Sequence, residues 1–175
     1  MKKLSVVVIV VLLLIIGCSS ASKLPAVSPI DINMSVLNGI GESYGDITTF
    51  TWENPDGTTG EFKPVENTLL VFWRYNCEVC TNEISAIQEY YKETGASIVL
   101  ISMNDLDTIE YCIDCFDRKE ATFPIVADPT QELTKYYDIS TIPDSMVVDG
   151  NGKILARKKA TLYREVLEKL LEEAR

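Results

Sequence analysis

Thr68-Leu69-Leu70-Val71-Phe72-Trp73 is an apolar, β-prone run that stops at a short polar turn, Arg74-Tyr75-Asn76. Two cysteines follow, three residues apart, in Cys77-Glu78-Val79-Cys80, and a helical pattern begins with them. A strand ending at Trp73 delivers the first thiol to the edge of a sheet. A helix starting at that thiol turns its unpaired N–H groups and positive dipole end toward a thiolate. Cysteines at i and i+3 on a first helical turn can close a small disulfide ring and reopen it. Spacing alone leaves redox chemistry and half a metal site open. A strand before and a helix after favour the redox pair.

The surrounding pattern predicts an α/β fold. Ile47 to Trp52 and Thr59 to Phe62 flank Asn54-Pro55-Asp56-Gly57, a strong turn signal, so a β-hairpin is expected there. Ahead of it, Gly39, Gly41 and Gly45 read as punctuation of a loop. Val79, Ile84, Ile87, Tyr90 and Tyr91 recur at helical spacing, and Gly95 stops that helix. Ser97 to Met103 reads as a strand covered on both faces. A helix is expected over Asp105 to Lys119, then a strand Phe123 to Val126 and a short helix Asp128 to Tyr137. Strands at Ser145 to Asp149 and Lys153 to Lys158 form a second hairpin around Gly150-Asn151-Gly152. An amphipathic helix over 161–173 closes the chain.

The start of the chain has a different character. Met1-Lys2-Lys3 is basic, and Leu4 to Ile16 is a nearly unbroken apolar run, too short to span a bilayer but suited to a signal-peptide core. Ile15-Ile16-Gly17-Cys18 then resembles the bacterial lipobox, which implies removal of residues 1–17 and lipidation of Cys18. An ordinary cleaved signal or an uncleaved anchor are the alternatives. Residues 18–32, with Pro25 and Pro29, read as a lipidated tether, and 33–175 as the folded domain. The expected location is extracytoplasmic, on the cell membrane or the outer membrane. Ser19 after the cysteine suits the outer membrane, by resemblance. The assignment also resolves an odd cysteine count, since five minus Cys18 leaves two CxxC pairs.

The 26 acidic and 16 basic side chains give a net charge of −10, which repels phosphate backbones and argues against nucleic acid as a partner. No histidine is present. His-dependent triads and His-ligated metals are therefore excluded, and thiolates and carboxylates are left to do the chemistry. No cofactor or metal is expected.

Taken together, the chain resembles the membrane-tethered TlpA/ResA-like branch of the thioredoxin superfamily, itself of the AhpC/TSA-Redoxin type. Phe72-Trp73, Cys77-Glu78-Val79-Cys80, Glu83, Phe123-Pro124, Tyr137, Ile142-Pro143 and Asp149-Gly150-Asn151-Gly152-Lys153 carry the resemblance, over roughly Asp46 to Lys169. It implies a thioredoxin-like fold, a central mixed sheet flanked by helices, with an N-terminal β-hairpin extension. Asn76 stands where tryptophan is usual and Val79 where proline is common, so the surface beside the nucleophile is smaller. A peroxidatic cysteine would want a threonine three residues before it; Arg74 is there instead.

The resemblance implies a protein-disulfide reductase. Cys77 is the exposed nucleophile and Cys80 the buried resolving thiol. Glu83, on the same helix face as Cys80, is its proton acceptor. Trp73, Asn76, Ile142 and Pro143 form the substrate surface, with Pro143 in the cis form and Ile142 offering its backbone to a substrate strand. Glu78 adds negative charge beside Cys77 and favours a reductant over an oxidant. Partners would be protein thiols and disulfides and a membrane electron donor. A disulfide oxidase or isomerase of the same fold, and a non-catalytic thiol- or metal-binding lipoprotein, are the alternatives. Cys112-Ile113-Asp114-Cys115 leaves four readings open: a local disulfide, an auxiliary redox pair, half of a four-thiolate metal site, or two inert thiols.

Overall fold

The computed structural model describes residues 34–103, 112, 115 and 122–173. The expected leader, Cys18, the tether and most of the expected helix 105–119 lie outside the described residues. In chain order the elements are β1 (Ser35–Tyr44), β2 (Ile47–Glu53), β3 (Thr59–Phe62), β4 (Thr68–Trp73), α1 (Glu78–Thr94), β5 (Ser97–Ser102), β6 (Ile125–Ala127), α2 (Glu132–Tyr136), β7 (Asp144–Val148), β8 (Ile154–Lys158) and α3 (Arg164–Glu173). Among the described residues they form one mixed sheet in the order β3-β2-β1-β6-β5-β4-β7-β8.

All six side chains of β4 are buried, because this strand sits between two core layers. Its parallel neighbour is β5 and its antiparallel neighbour β7. Leu69, Val71 and Trp73 enter one layer, with Cys80, Ile84 and Ile87 of α1 and Leu167 and Leu170 of α3. Leu70 and Phe72 enter the other, with Phe50, Trp52, Phe62, Leu133 and Met146. That alternation is why an unbroken apolar run is stable as a strand. The helix after it is bounded by two local devices. Cys77 is its N-cap, and Gly95, at φ 64°, ends it by donating its N–H to the Tyr91 carbonyl at 2.8 Å.

The layer away from α1 is roofed largely by strands. Only Ser35 and Val36 of β1 pair with β6. Beyond them β1 follows β2, with register shifts between Leu37 and Gly39 and between Ile40 and Ser43. The β1–β2 turn ends against the β7–β8 turn, where the Asp46 N–H donates to the Gly152 carbonyl at 2.8 Å and the Ile154 N–H donates to Asp46 Oδ2 at 3.2 Å.

Several boundaries differ from the sequence expectation. The glycines of 39–45 do not punctuate a loop. Gly39 and Gly41 lie inside β1, where Gly41 leaves room for the Thr49 side chain, and Gly45 alone occupies the turn, at φ 65°. The expected hairpin is present as β2 and β3, and β1 adds a third antiparallel strand to it, so the N-terminal extension is a three-stranded meander. The helix expected from Asp128 starts at Glu132 because Gln131 takes a left-handed φ of 57°. Asp128 instead caps it from outside, accepting from the Glu132 and Thr134 N–H groups at 2.8 and 2.9 Å. The third strand of the central set is Ile125–Ala127, displaced from the expected Phe123 to Val126. The final helix begins at Arg164, after residues 161–163 have taken another role.

Candidate active site

The Cys77 backbone is extended, at φ −107° and ψ 102°, and its sulfur accepts the Cys80 N–H at 3.3 Å. The helix thus spends one of its unpaired donors on this sulfur, and its positive end adds a field that favours the thiolate. Cys77 and Cys80 are joined by a disulfide, with their Cα atoms 5.2 Å apart. Cys77 is half-buried and Cys80 is fully buried. An incoming group can therefore reach Cys77 but not Cys80.

One turn further along α1, Glu83 is fully buried. The Leu162 N–H donates to its Oε2 at 2.8 Å, and Oε1 has no hydrogen-bond partner. Burial pushes this carboxyl up to about 7, against the smaller downward pull of the Leu162 amide. A carboxyl that changes protonation near neutrality, on the buried face that also carries Cys80, suits transfer of a proton to and from a thiol.

The far wall is set by register. Phe72 of β4 faces Asp144 of β7, so Pro143 arrives at the sheet edge where Trp73 leaves for the dithiol turn. The Ile142–Pro143 peptide bond is cis. Ile142 is half-buried and packs against both core layers.

Residues 45–157 match the family model of the AhpC/TSA family. The chain belongs to the AhpC/TSA family. Sporulation thiol-disulfide oxidoreductase A of Bacillus subtilis is 31% identical over 112 residues, 62% of this chain and 68% of that protein. Thiol-disulfide oxidoreductase ResA of Bacillus thuringiensis subsp. konkukian is 29% identical over 108 residues, and the match spans 59% of this chain and 61% of that protein. The crystal structure of StoA from Bacillus subtilis superposes with a TM-score of 0.59 at 27% identity, covering 70% of this chain and 96% of that one. These likenesses and the CxxC geometry make this AhpC/TSA-family domain a thiol–disulfide oxidoreductase of thioredoxin-like fold.

Within the family domain, the expected site residues fall into three groups. Cys77, Cys80 and Glu83 share the first turns of α1, and Ile142 and Pro143 lie at the same sheet edge. Asn76 is exposed beside Cys77. Trp73, expected on the substrate surface, is instead fully buried, because strand alternation turns it into the layer beneath α1. Cys112 and Cys115 are helical and buried, and they are thiols here, so the local disulfide considered from the sequence is not formed. Among the described residues no group of three potential ligands converges on a metal position, the two cysteine pairs included.

Two participants escaped the sequence reading. The Leu162 N–H is a backbone donor, and no side-chain pattern marks it. Asp144 is fully buried directly after Pro143 and receives Arg157 in a two-pronged bond, Nε to Oδ1 at 2.9 Å and Nη2 to Oδ2 at 2.6 Å. Arg157 Nη2 also donates to the Tyr137 carbonyl at 3.1 Å. An aspartate in an apolar strand-start, with an arginine on the neighbouring strand of a hairpin, was the available signal.

Proposed function

We propose that this chain is an extracytoplasmic, membrane-tethered protein-disulfide reductase. The observation that carries the reading is the graded burial along the first two turns of α1: Cys77 reachable at the N-cap, Cys80 closed off behind it, and Glu83 buried on the same face. In the reduced protein the Cys77 thiolate attacks a substrate disulfide, forming a mixed disulfide and expelling one substrate sulfur as thiolate. Cys80 then gives its proton to the Glu83 carboxylate and attacks Cys77 Sγ. The second substrate thiol leaves, and the Cys77–Cys80 bond seen here is the oxidised product. A membrane electron donor returns two electrons and two protons. Ile142 and Asn76 receive the substrate backbone, and Pro143 fixes the sheet edge beside Ile142.

The reductive direction rests on Glu78. It is exposed in the first turn of α1, and its charge opposes a neighbouring thiolate, which favours the disulfide and lowers the potential. Cys18 as the lipidated residue, residues 18–32 as tether and 33–175 as the domain complete the proposal. Replacing Cys18 with serine should move the protein out of the membrane fraction.

The deciding measurement is the reduction potential of Cys77–Cys80, by thiol trapping in graded dithiothreitol buffers. A value near about −270 mV supports a reductase, and one near about −120 mV makes the protein an oxidase. Absence of a reversible two-electron couple would sink the enzymatic reading.

A further inference from the structure

The layer beneath α1 holds more sulfur than one dithiol needs. Cys80, Cys112 and Cys115 are all buried members of a single core cluster, and Cys77 packs against it from the rim. Cys112 is fully buried and Cys115 is 4% exposed. Both are helical, and they stand three residues apart in sequence, as Cys77 and Cys80 do. Cys112 Sγ lies 3.6 Å from Ser102 Oγ, and Ser102 is the register partner of Trp73, the last strand residue before the dithiol turn. The second pair is thus anchored behind the root of the first.

We propose that Cys112 and Cys115 are a second two-electron couple, which exchanges with Cys77–Cys80 through Cys80. Their burial decides the route. A protein disulfide cannot reach either thiol, whereas Cys80 belongs to the same interior cluster. The chemistry selects the same sulfur. When a thiolate attacks a disulfide, the sulfur with the lower pKa leaves faster, and Cys77, held at the helix N-terminus, is the better leaving group.

The steps balance without an outside reagent. The Cys112 thiolate attacks Cys80 Sγ, the Cys77–Cys80 bond breaks, and Cys77 leaves as thiolate. The Cys115 thiolate then attacks Cys112 Sγ, which forms the Cys112–Cys115 bond and releases Cys80. Two electrons and two protons pass from the second pair to the first. Among the described residues no three of these sulfurs converge on one point, so the exchange requires Cys112 and Cys80 to approach each other. A fully reduced molecule then holds four electrons and can reduce two substrate disulfides before it returns to its donor.

This inference rests on the reductase reading, and the experiment separates the two. The full chain is reduced, freed of reductant and mixed with excess insulin, whose disulfides are too large to enter the core. Two insulin disulfides cleaved per chain are expected, against one for the C112S/C115S variant. Mass mapping of the wild-type peptide carrying both cysteines should show the loss of two hydrogens, a readout that holds even if the variant folds poorly. In Cys80→Ser, the pair should stay reduced while Cys77 is trapped on insulin. One disulfide per chain from the wild type, with Cys112 and Cys115 still thiols, overturns the second couple. Oxidation of the pair in Cys80→Ser at the wild-type rate overturns the route. A C112S/C115S protein that folds but cleaves none defeats the reductase reading instead.

Discussion

The Leu162 N–H and Glu83 Oε2 are 2.8 Å apart across a separation of 79 residues, so the segment before the last helix holds the carboxylate beneath the dithiol. One oxygen is fixed by that bond, and the other has no hydrogen-bond partner. Glu83→Gln keeps an acceptor for Leu162 but removes the proposed base. Resolution of the Cys77 mixed disulfide should slow about a hundredfold, the usual scale for general-base removal, while its formation stays within a few-fold. Acid-quenched trapping of the intermediate distinguishes the steps, and unchanged turnover would count against Glu83 as the base.

The same carboxyl should make stability depend on pH. Its folded value is raised from 4.5 to about 7, so the folded chain binds this proton more tightly than the unfolded one. Stability from this group is therefore greatest below about pH 4.5. It falls as pH rises toward 7, by roughly 3 kcal/mol in all. Urea titrations of oxidised wild type and Glu83→Gln should differ most at pH 8, with the variant more stable, and converge below about pH 4.5.

Glu78→His should raise the reduction potential by roughly 30 mV or more, since about 30 mV corresponds to a tenfold change in the equilibrium. An exposed histidine replaces repulsion of the Cys77 thiolate with attraction when it is protonated. The increment should therefore shrink as pH rises from 6 to 8. A flat response would mean that Glu78 does not set the couple.

The Asp144–Arg157 pair is asymmetric, and the asymmetry is measurable. Asp144 is fully buried, whereas the Arg157 side chain is 29% exposed and can turn to water. Arg157→Met strands a buried carboxylate and should cost about 3 kcal/mol; Asp144→Asn should cost about 1 kcal/mol. Denaturant midpoints report both. The reverse order would mean that Lys159, 3.9 Å from the same carboxylate, carries more of the compensation than its distance suggests.

Gly152 and Gly57 both have positive φ, 76° and 79°. A Cβ at Gly57 meets open space, but one at Gly152 would run into the Tyr44 carbonyl. Gly57→Ala should cost about 1 kcal/mol from backbone strain alone. Gly152→Ala should cost at least about 2 kcal/mol more, because the Tyr44–Asp46 turn must move away. Thermal melts of the two variants test the difference.

The parts of the fold that were legible in the sequence share one property: their signal is periodic or sits in a few adjacent residues. The run from Thr68 to Trp73, the helix after Cys77 and the stop at Gly95 are of that kind. Gly39 and Gly41 misled because a glycine marks a flexible backbone but not its partner, and the partner is β2, which pairs with Gly39 and packs Thr49 against Gly41. Trp73 was misplaced for a different reason. A motif gives proximity along the chain, whereas strand alternation decides which face a side chain takes. The Leu162 amide was invisible because any residue could supply it. Ile142-Pro143 was readable as a cis bond only through resemblance, since the dipeptide alone carries no such preference.

The bond between Asp46 and Gly152 closes a circuit through the molecule. The meander joins the rest of the sheet at β6 and is fastened again at the β7–β8 turn. Amide protons of β1 and β2 should then exchange with solvent at the same free-energy cost as those of β4, as parts of one foldon. That outcome would place the segment that looks most like an appendage in the sequence in the same cooperative unit as the dithiol strand.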